Sequence, residues 1–395
     1  MSVQANRESF RLNQRSNAVK LVISHSGTAD SGLEEGIDQV DRVRATLART
    51  WSFERRGKLM AKLVGVLNTS HVWIDRPAEA WDKVRQSRSL RDDVPQDTEA
   101  ERIEKAKRVL AAKETLKAKL AEMKPDVLMI FGADQNENFP SPSLRVMPPI
   151  TIYAGAEFSG RRYHDQDRSV PLPEGVKEID GQQKVSGHPD MAKALLYGLY
   201  EEGFDAAYSL ELPNPEVGIG HAWMNPLGYF TDYSIPTIPI VLNSIYAPCL
   251  TGSRAIALGH ALRKIVEAYP EDLRVVSIGS GGLWHTPGES DAWLNEDFDK
   301  VGMKHLEAGD ISGWAAHFDA YVVPSDDKSQ AFDVPSHGAS GLLPLMPGPQ
   351  GGTREELDWI AASSMAEGSP FTVVDMINIY SSPIDCAFAY CSSVK

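Results

Sequence analysis

Cysteine is nearly absent from this sequence: three residues, Cys249, Cys386 and Cys391, share no CxxC spacing. An odd, scattered set of thiols argues against a disulfide framework or a zinc knuckle and leaves small buried side chains as their simplest role. Also missing is any apolar run near the ~20 residues of a membrane span. The start, MSVQANRESFRLNQRSN, is polar where a secretory leader would be apolar. No membrane partner is expected, and a cytoplasmic location is. Positive charge is in deficit, with 40 Lys and Arg against 54 Asp and Glu, a formal net charge of −14. Such a field repels polyanions, which argues against nucleic acid as a partner, while a local Arg or Lys can still receive a small anion. With 395 residues and 42% hydrophobic content, the chain can bury one large core or two modest ones, so it is globular. No internal repeat and no linker between autonomous domains is evident.

What is present is an alternation of strand and helix. Leu33, Ile37, Val40, Val43 and Leu47 recur at helical spacing, predicting an amphipathic helix within a charged extension over residues 1–60. Lys62-Leu63-Val64-Gly65-Val66-Leu67 reads as a short buried strand running into Asn68-Thr69-Ser70-His71. A long helix over 99–123 carries Val109, Ala112, Leu116, Leu120 and Met123 on one stripe and is stopped by Pro125. Asp126 to Gly132 is the clearest buried strand and empties into Ala133-Asp134-Gln135-Asn136-Glu137. Residues 159–187, rich in Pro, Gly and charge, predict a long surface excursion. A helix over 189–202, a segment from Asp205 to Leu212, a strand from Ile238 to Asn243 and a helix over 253–268 follow. The strand Leu273 to Ile278 then ends in Gly279-Ser280-Gly281-Gly282-Leu283-Trp284-His285. This pattern predicts an α/β core, with polar residues collecting where strands stop, the usual place for chemistry in such folds.

Ten histidines are present, and position separates them. His71, His221 and His285 each follow or border a strand-like run in a loop rich in Gly, Ser or Asn, where bare backbone can approach a ligand. His25, in Val22-Ile23-Ser24-His25-Ser26-Gly27, has the same local appearance and competes with His71. His188 precedes Pro189 and fits a helix boundary, His260 lies on the polar side of a helix, and His164, His305, His317 and His337 lack supporting context. Glu355 and Glu356 open a helix that continues through Leu357 to Ile360, where the macrodipole alone would explain two acids. Two histidines and one carboxylate with open coordination positions would suit a non-haem Fe(II) oxygenase. Gly279 to Gly282 lacks both the P-loop lysine and the dinucleotide-loop spacing, which argues against a nucleotide site.

Several stretches together resemble the class III extradiol ring-cleavage dioxygenases, in particular the catalytic (beta) subunit of protocatechuate 4,5-dioxygenase. They include Ser186 to Ala192, Glu202-Gly203-Phe204-Asp205, His221 five residues before Pro226-Leu227, Pro239 to Asn243, Gly252-Ser253-Arg254, Pro270 to Leu273 and Gly279 to His285. Upstream, Asn68 to Val72 is similar to the loop of that family's first metal histidine, and Gly351 to Trp359 to its glutamate-bearing segment, so the resemblance covers about 61–385. It implies a single catalytic α/β domain over 61–395 with a mixed central sheet flanked by helices. It also implies a homo-oligomer that opens a catechol-type or aminophenol-type ring with O2 at a non-haem metal, Fe(II) or else Mn(II). By the same resemblance His71 is the first ligand and Glu355, four residues before Trp359, is the carboxylate, with Glu356 as the fallback. His285 is the acid/base, and His221 hydrogen-bonds the bound oxygens.

One departure stands out. Where the family's second metal histidine follows an aspartate at a strand end, this sequence has Asp134-Gln135. A glutamine offers a neutral oxygen, weaker than imidazole for Fe(II), so Gln135 itself, Glu137 or His25 is expected to complete the site. The same scaffold with an altered metal site, doing hydrolytic or non-oxidative chemistry on an aromatic, is the alternative, as is a non-catalytic partner subunit.

Overall fold

Four strand segments, each buried on both faces, build the centre of the fold: β1 (Lys62–Thr69), β2 (Val127–Ala133), β7 (Thr237–Leu242) and β8 (Arg274–Ser280). They run parallel in the order β7-β2-β8-β1. On the β7 side the sheet continues through β3 (Ile150–Tyr153), antiparallel to β7, and β6 (Ala207–Ser209). On the β1 side it continues through the antiparallel hairpin of β9 (Thr372–Ile379) and β10 (Ile384–Cys391). The result is one mixed eight-stranded sheet, as the resemblance implied. The computed structural model describes residues 59–71, 81, 85–86, 89–135, 137–139, 146–161, 182–245, 249–285, 292–321, 351–381 and 383–395. The expected extension over 1–60, apart from Leu59 and Met60, lies outside the described residues, and with it His25.

Period-two alternation divides the strand side chains between two cores. Val127, Met129 and Phe131 of β2 face one way, onto α2 (Pro189–Glu201), α4 (Gly252–Glu267), α6 (Ile311–Ala320) and α7 (Glu356–Ser364). Leu128 and Ile130 face the other way, onto α1 (Glu99–Met123) and α3 (His221–Phe230). Helices on both faces explain why the parallel strands read as continuous apolar runs. The expected boundaries hold locally for physical reasons. Thr98 and Glu101 form a reciprocal capping box at the start of α1, and Lys124 in the left-handed region ends it just before Pro125. His188 accepts the Met191 N–H and caps α2, the boundary role its position suggested.

The excursion expected over 159–187 is bracketed by a two-stranded hairpin, β4 (Glu157–Gly160) with β5 (Gln183–Ser186); residues 162–181 lie outside the description. His221, read as a loop residue, instead opens α3.

Between β10, α5 (Glu296–Ala308) and α7 lie three fully buried carboxyl groups, Asp385, Asp299 and Glu356. Asp299 accepts the Trp284 N–H at 2.9 Å, and Glu356 accepts the Trp314 indole N–H at 2.9 Å. Burial raises all three above the ordinary carboxyl range, Asp385 to about 7 and Glu356 to about 8, with the Asp385 charge adding to the effect on Asp299. The folded chain therefore holds protons here that the unfolded chain releases near pH 4, and this stabilisation is complete in acid and lost as pH rises through the folded values. His71, lowered by burial to about 4, works in the opposite sense, but its contribution is complete above its ordinary 6.5. Thermal stability should consequently fall between roughly pH 4 and 8, with His71 offsetting part of the fall below 6.5. Asp385→Asn should flatten that fall in a calorimetric pH series; an unchanged slope would refute the buried-proton account.

Candidate active site

The four parallel strands end at one edge of the sheet, and their C-terminal loops carry most of the residues singled out by the sequence. His71 follows β1, Gln135 and Glu137 follow β2, and the glycine loop to His285 follows β8. Glu355 immediately precedes α7, and His221 is the first residue of α3.

Glu355 is the hub. Its Oε2 accepts the Gly282 N–H at 2.8 Å and stands 3.6 Å from His71 Nε2 and 3.3 Å from His285 Nε2. Its Oε1 accepts a short hydrogen bond from the Gln135 side-chain amide. Glycine is required opposite it, since a Cβ at Gly281 would come within 2.8 Å of the Glu355 carbonyl oxygen. Burial pushes the Glu355 carboxyl up, but His285, His71 and the Gly282 N–H outweigh it and hold the group below its usual range.

The orientation of His71 traces back to one residue of α3. In a regular helix the Ala222 carbonyl would accept the N–H of residue 226, but that residue is proline and has none. The Ser280 hydroxyl donates to the Ala222 carbonyl instead. With its proton committed there, Ser280 Oγ accepts from His71 Nδ1 at 3.1 Å. Nδ1 thus carries the hydrogen, and the Nε2 lone pair faces Glu355. Asn225, on the same helix, holds the His71 carbonyl at 2.5 Å. Neither Ser280 nor Asn225 was singled out from the sequence; the signal lay in the i+4 spacing of Asn225 from His221 and in the proline beside it.

A lone pair and a carboxylate oxygen facing each other across 3.6 Å repel unless a cation sits between them, and that is the donor arrangement of a metal site. Among the described residues no three His, Cys, Asp or Glu side chains form a cluster able to hold a metal. Gln135 stands on the other Glu355 oxygen, and its amide, turned half about its last bond, would present an oxygen donor there. His71, Glu355 and Gln135 therefore fit a metal with a reduced donor set.

The remaining candidates are placed differently. Glu137 stands on His221, with its Oε1 2.6 Å from the ring Nδ1 and 3.1 Å from the backbone nitrogen. His221 packs edge-on against His71, ring centroids 4.8 Å apart. His285 commits Nδ1 to the Leu283 carbonyl at 2.9 Å, leaving Nε2 toward Glu355. Glu356 is engaged by Trp314, and His25 lies outside the described residues.

A family model described as the catalytic LigB subunit of aromatic ring-opening dioxygenase matches residues 95–331, more than half of the chain. The chain belongs to the LigB family. That match contains Gln135, Glu137, His221 and His285, while His71 and Glu355 lie on either side of it. Enzymes of the LigB family are non-haem metal enzymes. The chain is 27% identical over 120 residues to a gallate dioxygenase of Pseudomonas putida, covering 29% of this chain and 34% of that one. It is 29% identical over 170 residues to a 2,3-dihydroxyphenylpropionate/2,3-dihydroxicinnamic acid 1,2-dioxygenase of a Mycobacterium species, covering 42% and 46%. A protein of the same name from Mycolicibacterium smegmatis is 32% identical over 165 residues, covering 41% and 44%. The chain spans less than half the length of these curated relatives. Among the described residues no helix is long and apolar enough to cross a membrane.

Ser280→Ala would leave His71 without its orienting acceptor and should weaken Fe(II) binding by about 10–100-fold in an anaerobic titration, the cost typical of losing such a partner. Gln135→Ala should weaken it as well, whereas Glu137→Ala should not. A loss confined to His25→Ala would place the third ligand in the N-terminal segment.

Proposed function

We infer that this chain opens the ring of a small aromatic substrate carrying adjacent hydroxyl groups, or a hydroxyl beside an amine, by inserting both atoms of O2. The observation that carries this reading is the meeting of His71, Gln135, Glu355, His221 and His285 at one sheet edge, with the His71 lone pair turned toward the Glu355 carboxylate across 3.6 Å. Family membership supports it, as do relatives whose names specify dioxygenases acting on gallate and on dihydroxyphenyl acids.

His71, Glu355 and Gln135 would hold a non-haem metal, Fe(II) by preference. When bound, it supplies a meeting point for substrate oxygens and O2 and a path for electrons between them. The chain's own residues do the proton work. His285 is held through Nδ1 by the Leu283 carbonyl, so Nε2 is its exchangeable atom. That nitrogen takes the proton of a substrate hydroxyl and later returns one to the oxygen released as the ring opens. His221, edge-on to His71, hydrogen-bonds a substrate hydroxyl. The glycine loop and the end of β1, buried among Asn68, Thr69 and Ser70, exclude water from the Glu355 side. The reaction belongs to the catalytic domain, 61–395, in a cytoplasmic setting that suits three free thiols.

Gln135 favours one further reading. An amide in the third ligand position lowers the metal's electron richness, which would suit hydrolytic or non-oxidative chemistry on an aromatic better than O2 activation. Turnover without O2 separates the two. For the Fe(II)-loaded chain, O2 uptake screened over catechol, protocatechuate, gallate and 2-aminophenol should match substrate loss one to one and stop under nitrogen. His285→Ala should lower turnover by about 10²–10⁴-fold with metal content unchanged, the range for loss of a general acid/base. Turnover that continues anaerobically, or a His285→Ala protein that purifies without metal, would overturn the assignment.

A further inference from the structure

Glu137 occupies a position that the ring-opening reading leaves unexplained. Its carboxylate and the His221 imidazole are about equally buried, 13% and 12% exposed, and form a close pair. One oxygen, Oε1, accepts both from the ring at Nδ1 and from the backbone N–H of His221. α3 begins there without any capping side chain of its own, so Glu137 caps it from a different loop. A carboxylate at a helix N-terminus is electrostatically favoured as well. The other oxygen, Oε2, makes no hydrogen bond and lies directly over Gly220: a Cβ built there would stand 2.0 Å from it. The bare Cα of residue 220 is thus the space into which this carboxylate fits.

The loop that presents Glu137 is tied down on all sides. Asp134 accepts the N–H groups of Asn138 and Phe139, at 3.0 and 2.7 Å. Asn138 donates to the Gly218 carbonyl at 2.8 Å and accepts from the Asn214 N–H at 3.0 Å, and Asn214 donates to the Glu137 carbonyl at 3.2 Å. The end of β2 and the approach to α3 are therefore one stitched unit, and the two side chains within it cannot drift apart independently.

We propose that Glu137 is a positioning residue that fixes which nitrogen of His221 faces the substrate, by holding Nδ1–H and so presenting Nε2 toward the centre shared with His71 and Glu355. An imidazole with an unfixed proton divides itself between two tautomers, only one of which offers the correct atom at Nε2. Oriented histidines in acid/base sites obtain the same service from a carboxylate behind them. Here that carboxylate comes from the strand-end loop that also carries Gln135, so the residue next to the metal position and the residue aiming the second histidine are set by a single turn. The proposal rests on the ring-opening reading for its substrate, but not for its geometry.

The test uses the full-length chain with ring-15N histidine, loaded with Zn(II) as a diamagnetic stand-in, and reads the His221 tautomer by long-range proton–nitrogen correlation, with His221→Asn assigning the signals. The native chain should show Nδ1 protonated. Glu137→Gln, whose amide oxygen still accepts, should preserve that state, while Glu137→Ala and Gly220→Ala should both release it, the second without removing any polar group. With Fe(II) and 4-nitrocatechol under nitrogen, Glu137→Ala and Gly220→Ala should bind the probe at least tenfold more weakly at unchanged metal content, and Glu137→Gln should recover most of the loss. An unaltered His221 tautomer in Glu137→Ala overturns the proposal. So does a Glu137→Ala chain that loses metal while His221 keeps its native tautomer, since Glu137 would then be a ligand. If the tautomer responds as stated but no aromatic in the screen consumes O2, the dyad stands and the ring-opening reading fails.

Discussion

An ionised carboxylate taken out of water must be compensated by everything around it, and at Glu355 that requirement organises the site. The compensating groups come from chain segments far apart in sequence, an amide N–H from the loop after β8 and a side-chain amide from the end of β2, and the imidazoles of His71 and His285 are brought within 3.6 and 3.3 Å from the end of β1 and the loop after β8. Parallel strands are what bring such segments together, because every strand of the central four delivers its C-terminus to the same edge. Antiparallel pairing would have sent half of them to the opposite side. The outer strands, of which β3, β6 and β10 run against the core and β9 along it, place none of the five principal residues.

α3 is the second organiser. It meets the edge from one face and acts on it at three points: His221 at its first residue, Asn225 on the His71 carbonyl, and the Ala222 carbonyl left open by Pro226. A proline inside a helix is ordinarily a defect. In α3 the missing hydrogen bond is replaced by one that links the helix to β8 through Ser280 and from there to the His71 ring.

Much of the strand and helix content was legible because apolar runs and stripes are local: α1 was expected and found over 99–123, and β1, β2, β7 and β8 fell within a few residues of their expected bounds. The β9–β10 hairpin was not anticipated, since Thr372 to Ile379 mixes polar and apolar residues in a way that acquires meaning only once β10 lies beside β1. The opening of α3 was missed for a related reason: Gly-rich sequence before His221 reads as loop, and the capping carboxylate that permits a helix there lies 84 residues upstream. Within the site, the residue types and their places at strand ends could be read from the chain. Hydrogen-bond direction could not. Which nitrogen of His71 faces Glu355 depends on Ser280, whose own proton is claimed by a backbone carbonyl exposed by a proline on another element. Glu137, a candidate ligand by sequence distance from Gln135, stands on His221 because Gly220 leaves room for it.

That last fit ties two distant positions into a single mutational unit. An acidic side chain at 137 can fold over residue 220 only while the latter has no side chain, and a larger residue at 220 leaves space only for a short one at 137. Changes at the two sites are therefore not independent: a side chain at 220 meets the carboxylate while Glu137 is present and no longer meets it once residue 137 is short. The order in which a descendant chain could acquire them is restricted, because a shorter residue must appear at 137 before anything bulkier is tolerated at 220.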